Sequence, residues 1–326
     1  MEKRLSDIVQ GRYAAPDTSL WSGRIDTEAN GETWYWHQRV KPLDVLAGLP
    51  NGKNIVLLGC CIDEGVIRNQ GRAGAAQGPD AIRKILAPLP HHLGKEYFLW
   101  DGGNILQPDR DLEKSHEVIQ QIVTELLNHK CFPVILGGGH DIAYPHYQGI
   151  KTATGASSRI GIINLDAHLD LRHHPIRNSG TPFYQIARNH PGEFHYLCLG
   201  IQRFSNTPFH FQRAKELGVR ILMAEDFQLI YWENIERVLR EFMDSVDVVY
   251  LTIDMDGFAS SVAPGVSAPS PCGFTPEVVL PALKKIASSG KLMSMDVVEY
   301  NPEFDIDHRT ARLAARVIAH TIASKD

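Results

Sequence analysis

The chain has 326 residues, 43% hydrophobic and 22% charged, which is ordinary for a globular protein and ample for a large core. A formal net charge of -5 and a pI near 6.3 offer no basic field for a phosphate backbone, which excludes nucleic acid as a partner. The N-terminal Met1 to Gln10 lacks the apolar core of a secretory signal, and no run of about eighteen apolar residues could span a bilayer, so a cytoplasmic protein without a membrane partner is expected.

Residues 1 to 50 carry Trp21, Trp34 and Trp36 among polar residues without a clear period. They read as an irregular N-terminal arm packed on the domain or on a neighbouring subunit. From Asn54 the pattern changes to short apolar runs alternating with longer helical segments. The spacing predicts strands at Ile55 to Gly59, Tyr97 to Trp100, Pro133 to Leu136, Ile160 to Leu165, Tyr196 to Leu199, Ile221 to Met223, Val248 to Ile253 and Leu292 to Val297. It predicts helices at Pro79 to Leu86, Leu112 to Asn128, Phe209 to Leu217, Trp232 to Met243, Pro276 to Ala287 and Arg309 to Ala323.

Strands that do not alternate, separated by helices, mean a parallel sheet covered on both faces. Eight units could form an open sheet or close into a barrel. No linker-like tract or repeat divides the region, so residues 51 to 326 are expected to form one α/β domain. Five cysteines, an odd number with Cys60 and Cys61 adjacent, show neither a zinc spacing nor a disulfide framework, and reduced thiols are expected.

In either architecture ligands bind at the carboxyl ends of strands. Three predicted strands run there into ligand-rich clusters: Gly137-Gly138-Gly139-His140-Asp141, Asp166-Ala167-His168-Leu169-Asp170 and Asp254-Met255-Asp256. In the second, a ligand occupies every second position, which in an extended chain shares one face. Burying such carboxylates without partners costs several kcal/mol at least. A cation supplies the partner; a metal-free carboxylate-histidine network is the plain alternative.

The collected candidates are His140, Asp166, His168, Asp170, Asp254 and Asp256. Carboxylates and imidazoles without thiolate suit Mn(II) better than a structural zinc. Six ligands are too many for one catalytic ion with an open position and about right for two sharing bridging carboxylates. Such a pair, about 3.5 to 4 Å apart, lowers the pKa of water and points to hydrolysis. Magnesium with a phosphorylated substrate is the other reading, though the glycine triplet is equally explained by tight turns.

The three clusters resemble, in order and separation, the signature motifs of the arginase/agmatinase/formimidoylglutamase (ureohydrolase) family, over about residues 50 to 320. The resemblance implies a three-layer αβα fold with a central eight-stranded parallel sheet, and a hydroxide bridging two manganese ions per subunit. It implies His140, Asp166, Asp170 and Asp254 on one ion and Asp166, His168, Asp254 and Asp256 around the other, with Asp166 and Asp254 bridging. Asp170 would also orient the hydroxide. Met295 to Pro302 resembles the segment whose glutamate binds the substrate's amidine or guanidine cation, which assigns that role to Glu299. The family tends to form closed rings, so a homo-oligomer is expected.

The branch of the family follows from loops. Asn178-Ser179-Gly180 places Ser179 where arginases have a proton-shuttling histidine, which counts against arginine as substrate. Arg68-Asn69-Gln70-Gly71-Arg72, Ala263-Pro264-Gly265-Val266-Ser267-Ala268-Pro269 and Glu299-Tyr300-Asn301-Pro302 look like the formimidoylglutamase branch. Its substrate carries two carboxylates, so arginines should grip them: Arg72 and Arg203 first, Arg68 and Arg172 as weaker candidates. The implied reaction releases L-glutamate and formamide from N-formimidoyl-L-glutamate, a step of histidine degradation. Agmatine, guanidinobutyrate or arginine are the rival substrates, and a non-catalytic metal-binding scaffold is the remote one.

Overall fold

A computed structural model of the chain describes residues 9, 11–26, 34–50, 52–94 and 96–325. Its frame is a sheet of ten strands: β1 (Tyr13–Ala14), β2 (Lys41–Pro42), β3 (Asn54–Cys61), β4 (Phe98–Leu106), β5 (Phe132–Leu136), β6 (Ile160–Leu165), β7 (His195–Ile201), β8 (Arg220–Met223), β9 (Val248–Asp254) and β10 (Leu292–Val298). The order is β1-β4-β3-β5-β10-β9-β6-β7-β8, with β2 also on β4. From β4 to β8 all eight strands pair in parallel. The sheet is therefore the open, eight-stranded one, extended at one edge by two short strands from the arm.

Successive residues of the central strands serve opposite cores, which is why their sequence does not alternate. Ile55 and Leu57 join Ile163 and Leu165 on one face, where they meet the helices Gly78–Leu86, Trp232–Asp244, Pro276–Ala287 and Arg309–Ala323. Val56 and Leu58 join Ile160 and Ile162 on the other, against Leu112–Asn128, Ala143–Thr154, Pro182–Asn189 and Pro208–Glu216. The result is three layers, as expected from the motifs. Among the described residues no helix is long and apolar enough to cross a membrane.

The predicted elements recur, with informative exceptions. Strand β4 runs six residues past Trp100, through Asp101-Gly102-Gly103-Asn104, a sequence that reads as a turn. The register against β3 slips between Leu57 and Gly59, and Gly103 takes φ +74°, so the glycines form a bulge inside the strand. The helix Ala143–Thr154 is absent from the expected elements because Pro145 and Gly149 mask its period. Pro145 sits in its first turn, and Gly149 lies so close to Val123 that an added Cβ would come within 2.7 Å of that side chain.

Of the expected arm, residues 1–8, 10 and 27–33 lie outside the described residues. The rest attaches to the β4 edge: Tyr13 and Ala14 pair with Ile105 and Asn104, and the Trp21 indole donates to Asp101. Trp36 is buried. Asp101 also faces Arg83, whose Nη2 lies 2.9 Å from its Oδ1, with both side chains 1% exposed. Arg83 donates further to Asn104 and to the Gly103 carbonyl, tying the helix Gly78–Leu86 to the bulge.

Removing one member of a buried pair strands the other charge, at about 3–5 kcal/mol. Arg83→Ala should lower unfolding free energy by about that much in urea titrations. A loss under about 1 kcal/mol would mean that Trp21 and the Gly103 amide satisfy Asp101 without the arginine.

Candidate metal centre and cleft

The ligand candidates come from the carboxyl ends of β5, β9 and β6, and Glu299 from the end of β10, which lies between β5 and β9 in the sheet. Register levels them. Leu165 pairs with Ile253, so Asp166 and Asp254 follow side by side, and Val298 pairs with Asp254, which sets Glu299 one residue beyond. Gly137 and Gly138 both adopt positive φ, +69° and +79°, to turn the chain from β5 into His140. The glycine triplet is thus a turn, fastened to β10 by Gly137 N–H to the Val297 carbonyl and by Glu299 N–H to the Gly138 carbonyl.

The side chains form two groups. His140 Nδ1 lies 3.2 Å from Asp166 Oδ2, 3.1 Å from Asp170 Oδ2 and 3.0 Å from Asp254 Oδ2. His168 Nδ1 lies 3.4 Å from Asp166 Oδ1 and 3.3 Å from Asp256 Oδ1. Within each group one ligand atom per residue falls within 4.8 Å of the others. Asp166 belongs to both and offers a different oxygen to each. Asp254 falls in the His140 group alone among the described residues, and its Oδ1 accepts the Asp256 amide at 2.8 Å, as Asp166 Oδ1 accepts the His168 amide at 2.7 Å.

These residues fit a pair of cations. One Nδ1–H could serve one carboxylate, yet three converge on His140. Its Nδ1 and Asp256 Oδ1 are buried with no hydrogen-bond partner among the described residues. The other His140 nitrogen, Nε2, lies 3.0 Å from Thr252 Oγ1, which fixes the ring and turns Nδ1 toward the carboxylates.

Electrostatics agree. Burial opposes charge on His140, but Asp166, Asp170 and Asp254 outweigh it and hold its pKa well above the ordinary imidazole value. Burial and the negative charges of Asp256 and Asp166 push Asp254 well up. Burial and the Asp256 charge raise Glu299 to about 8. Burial also opposes charge on Asp166, yet the two histidines win and lower its pKa. The cluster holds too many acids for its imidazoles.

Glu299 is 5% exposed, and its Oε1 accepts the His140 amide at 2.7 Å. Glu299 and Asp170 both adopt left-handed backbone, φ +63° and +45°, a conformation that costs of order 1–3 kcal/mol for such residues and concentrates at functional sites. Behind the groups, Asp141 lies 2.8 Å from His116 Nε2, and Asp296 accepts from His146 and from the Tyr250 hydroxyl. Sequence reading met Asp141 and Asp296 inside its motifs but did not single out their partners His116, His146 and Tyr250, which are remote in the chain.

A cleft of about 300 Å³ opens over the groups, with His168, Asp170, Asp254, Asp256 and Glu299 at its base. Its walls correct several expectations. Arg72 lines it, with Nε donating to the Ser267 carbonyl, Nη2 to the Val266 carbonyl and the guanidinium 3.6 Å from the Phe304 ring centroid, so part of its fork is engaged by the loop while Nη1 has no acceptor among the described residues. Arg203 is exposed and lines no part of the cleft; the short 3-10 turn Arg203–Ser205 turns it outward and brings Ser205 and Asn206 in. Arg68 pairs with Glu64 and Glu113.

Ser179 does line the cleft, and its Oγ accepts from Asn69 at 3.0 Å. Asn178 and Gly180 do not: Asn178 Oδ1 accepts the Gly180 amide, closing the turn that presents Ser179. Arg172, a weaker candidate from sequence, lines the cleft as well, beside the wall residues Asn69, Gln70, Asn206, His210 and Ser267, of which only Asn69, Gln70 and Ser267 fall within stretches singled out from sequence.

A three-layer sheet with two carboxylate-histidine groups at the carboxyl ends of its central strands defines a class of binuclear metal hydrolase. The Arginase family model matches residues 53–323, and the chain belongs to that family. It is 42% identical over 317 residues to a formimidoylglutamase of Ralstonia nicotianae, covering 95% of this chain and 96% of that one. The solved formimidoylglutamase of Bacillus subtilis superposes with a TM-score of 0.81 at 28% identity, over 93% of this chain and 94% of that one. The Trypanosoma cruzi formiminoglutamase structure with Mn2+ gives 0.75 at 25%, over 95% and 98%.

Two outcomes check the site. Because Asp166 alone serves both groups, Asp166→Asn should weaken both metal-binding events in a calorimetric titration, whereas His168→Ala should weaken one; equal effects of the two variants would dissolve the division. In the metal-free protein, Glu299 holds its proton to about 8, against an ordinary 4.5 when unfolded. The unfolded chain releases that proton first, so stability falls as pH rises through this window. Metal-free Glu299→Gln should melt higher than wild type at pH 8, with the gap closing toward pH 4.5. Parallel pH profiles would contradict the buried acid.

Proposed function

We propose that this chain hydrolyses N-formimidoyl-L-glutamate to L-glutamate and formamide. The observation that carries it is the polarity of the cleft. Its base gathers Asp170, Asp254, Asp256 and Glu299, complementary to a cationic formimidoyl head, while its rim presents Asn69, Gln70, Arg172 and His210 toward the end where the substrate carries carboxylates. Relatives named formimidoylglutamase, about 40% identical along nearly the whole chain, support the same choice.

His140, Asp166, Asp170 and Asp254 would hold one ion, and Asp166, His168 and Asp256 the other. We propose manganese, which suits carboxylate and imidazole donors without thiolate and accompanies the Trypanosoma cruzi protein. When bound, the ion pair would lower the pKa of water and make it a nucleophile at neutral pH.

The chain's residues do the rest. Glu299, fixed by the His140 amide, accepts charge-assisted hydrogen bonds from the planar N-C-N group and holds its carbon in place. The water oxygen bonds to the formimidoyl carbon, the bond to the glutamate nitrogen breaks, and the departing amine takes a proton. Asp170 is placed to deliver it from Oδ1, since its Oδ2 is turned to His140. Ser179, at the wall, is the second route, through solvent.

The test is glutamate release from N-formimidoyl-L-glutamate by manganese-loaded protein, with agmatine, guanidinobutyrate and arginine assayed for urea. Glutamate without urea is expected, and Glu299→Ala should lower kcat/KM by roughly 100-fold or more. Urea from a guanidine would transfer the chemistry to another substrate.

A further inference from the structure

The cleft adjoins a second cavity of about 390 Å³, lined among others by Arg68, Arg172, His173, His174, His210 and Arg213. Among the described residues no carboxylate lines this cavity, in contrast to the base of the cleft. Asn69, Gln70, Arg172 and His210 line both spaces and form the wall between them.

The cations differ in what occupies them. Arg68 is paired with Glu64 and Glu113. Arg213 donates to the Leu171 carbonyl and stacks on Tyr184 and Phe209. Among the described residues the Arg172 guanidinium has no carboxylate and no hydrogen-bond acceptor. Its backbone is nevertheless fixed, with the amide donating to the Gly180 carbonyl at 2.9 Å. Its stem runs so close to Gly180 that a Cβ added there would come within 2.7 Å of Arg172 Cδ. The stem is anchored while the five donors of the head remain open.

Resting on the reaction proposed above, we infer that Arg172 is the residue that grips a substrate carboxylate, with Asn69, Gln70 and His210 beside it as an anion-holding wall. A planar guanidinium takes a carboxylate through two parallel hydrogen bonds, and this fixes direction as well as charge. Arg172 follows Asp170 by two residues, so the grip on the tail and the group facing the reacting carbon belong to one short rigid stretch. Gln70 reaches the wall from left-handed backbone, φ +64°. The wall selects for an acidic tail, and a guanidine with a cationic tail would meet Arg172 with like charge.

The experiment uses manganese-loaded protein and L-glutamate as the probe. Arg172→Met keeps the apolar stem against Gly180 and removes the donors; Arg203→Ala, outside both cavities, is the control. Calorimetry should show L-glutamate binding weakened roughly 10- to 100-fold in Arg172→Met and unchanged in the control. With N-formimidoyl-L-glutamate the Met variant should show the loss in KM, with kcat and metal content near wild type. Arg172→Lys should recover part of the affinity, because it restores charge without the fork. Undiminished glutamate affinity in Arg172→Met, or no measurable binding to wild type, overturns the wall. Arg172-dependent glutamate binding in a wild type that releases no glutamate from the formimidoyl substrate would retain the wall and reject the reaction.

Discussion

The structure depends on one crowding: Asp166, Asp254, Asp256, Glu299 and His140 are buried together at the base of a cleft that the half-buried Asp170 and His168 help to line. Carboxylates so placed either neutralise or find cations, because their mutual repulsion in a low dielectric exceeds what two imidazoles offset. The raised pKa values of Asp254 and Glu299 record that pressure. Much around the site serves to keep these acids in place. The parallel register levels Asp166 with Asp254, and the glycine turn after β5 delivers His140. The buried partners His116 and His146 hold Asp141 and Asp296 behind it.

Three loop segments that resemble the formimidoylglutamase branch prove to be one contact. Arg72 donates to carbonyls of Val266 and Ser267, its amide donates to the Ser267 hydroxyl, and its head lies over Phe304. Asn301 donates to the carbonyls of Arg72 and Ala73, while its amide reaches Gly265. The segments therefore depend on one another physically, and Arg72, which lines the cleft, also ties them together. This knot is itself part of the cleft wall, where Arg72 and Ser267 stand in the lining.

The sheet was legible because buried parallel strands must be apolar on both faces, and Ile160 to Leu165 announces itself that way. The metal groups were legible because residues such as His140 and Asp166 are costly to bury for any other reason. Less visible were features set by partners remote in the chain. Nothing local shows that Arg203 turns outward, that Asn206 is held inward by the Ala167 carbonyl and Leu169 amide, or that Arg72 donates to carbonyls 194 and 195 residues away. Arginine reads as charge in a sequence; what it is bonded to appears only in three dimensions.

The second motif shows the same limit at finer scale. The strand β6 ends at Leu165 as its apolar run predicts, but the ligands beyond it lie on a loop and not on the extended chain that would put alternate positions on one face. The Leu169 amide is held by Asn206, and Asp170 turns back toward His140 through left-handed backbone. That turn costs stability, and it also sends the following Arg172 along Gly180 into the wall of the cleft. A straight strand would have kept the ligands on one face but carried the arginine away with the next residues. The strained residue that brings a carboxylate to the metal groups is therefore also the one that directs a cation to the opposite end of the same substrate.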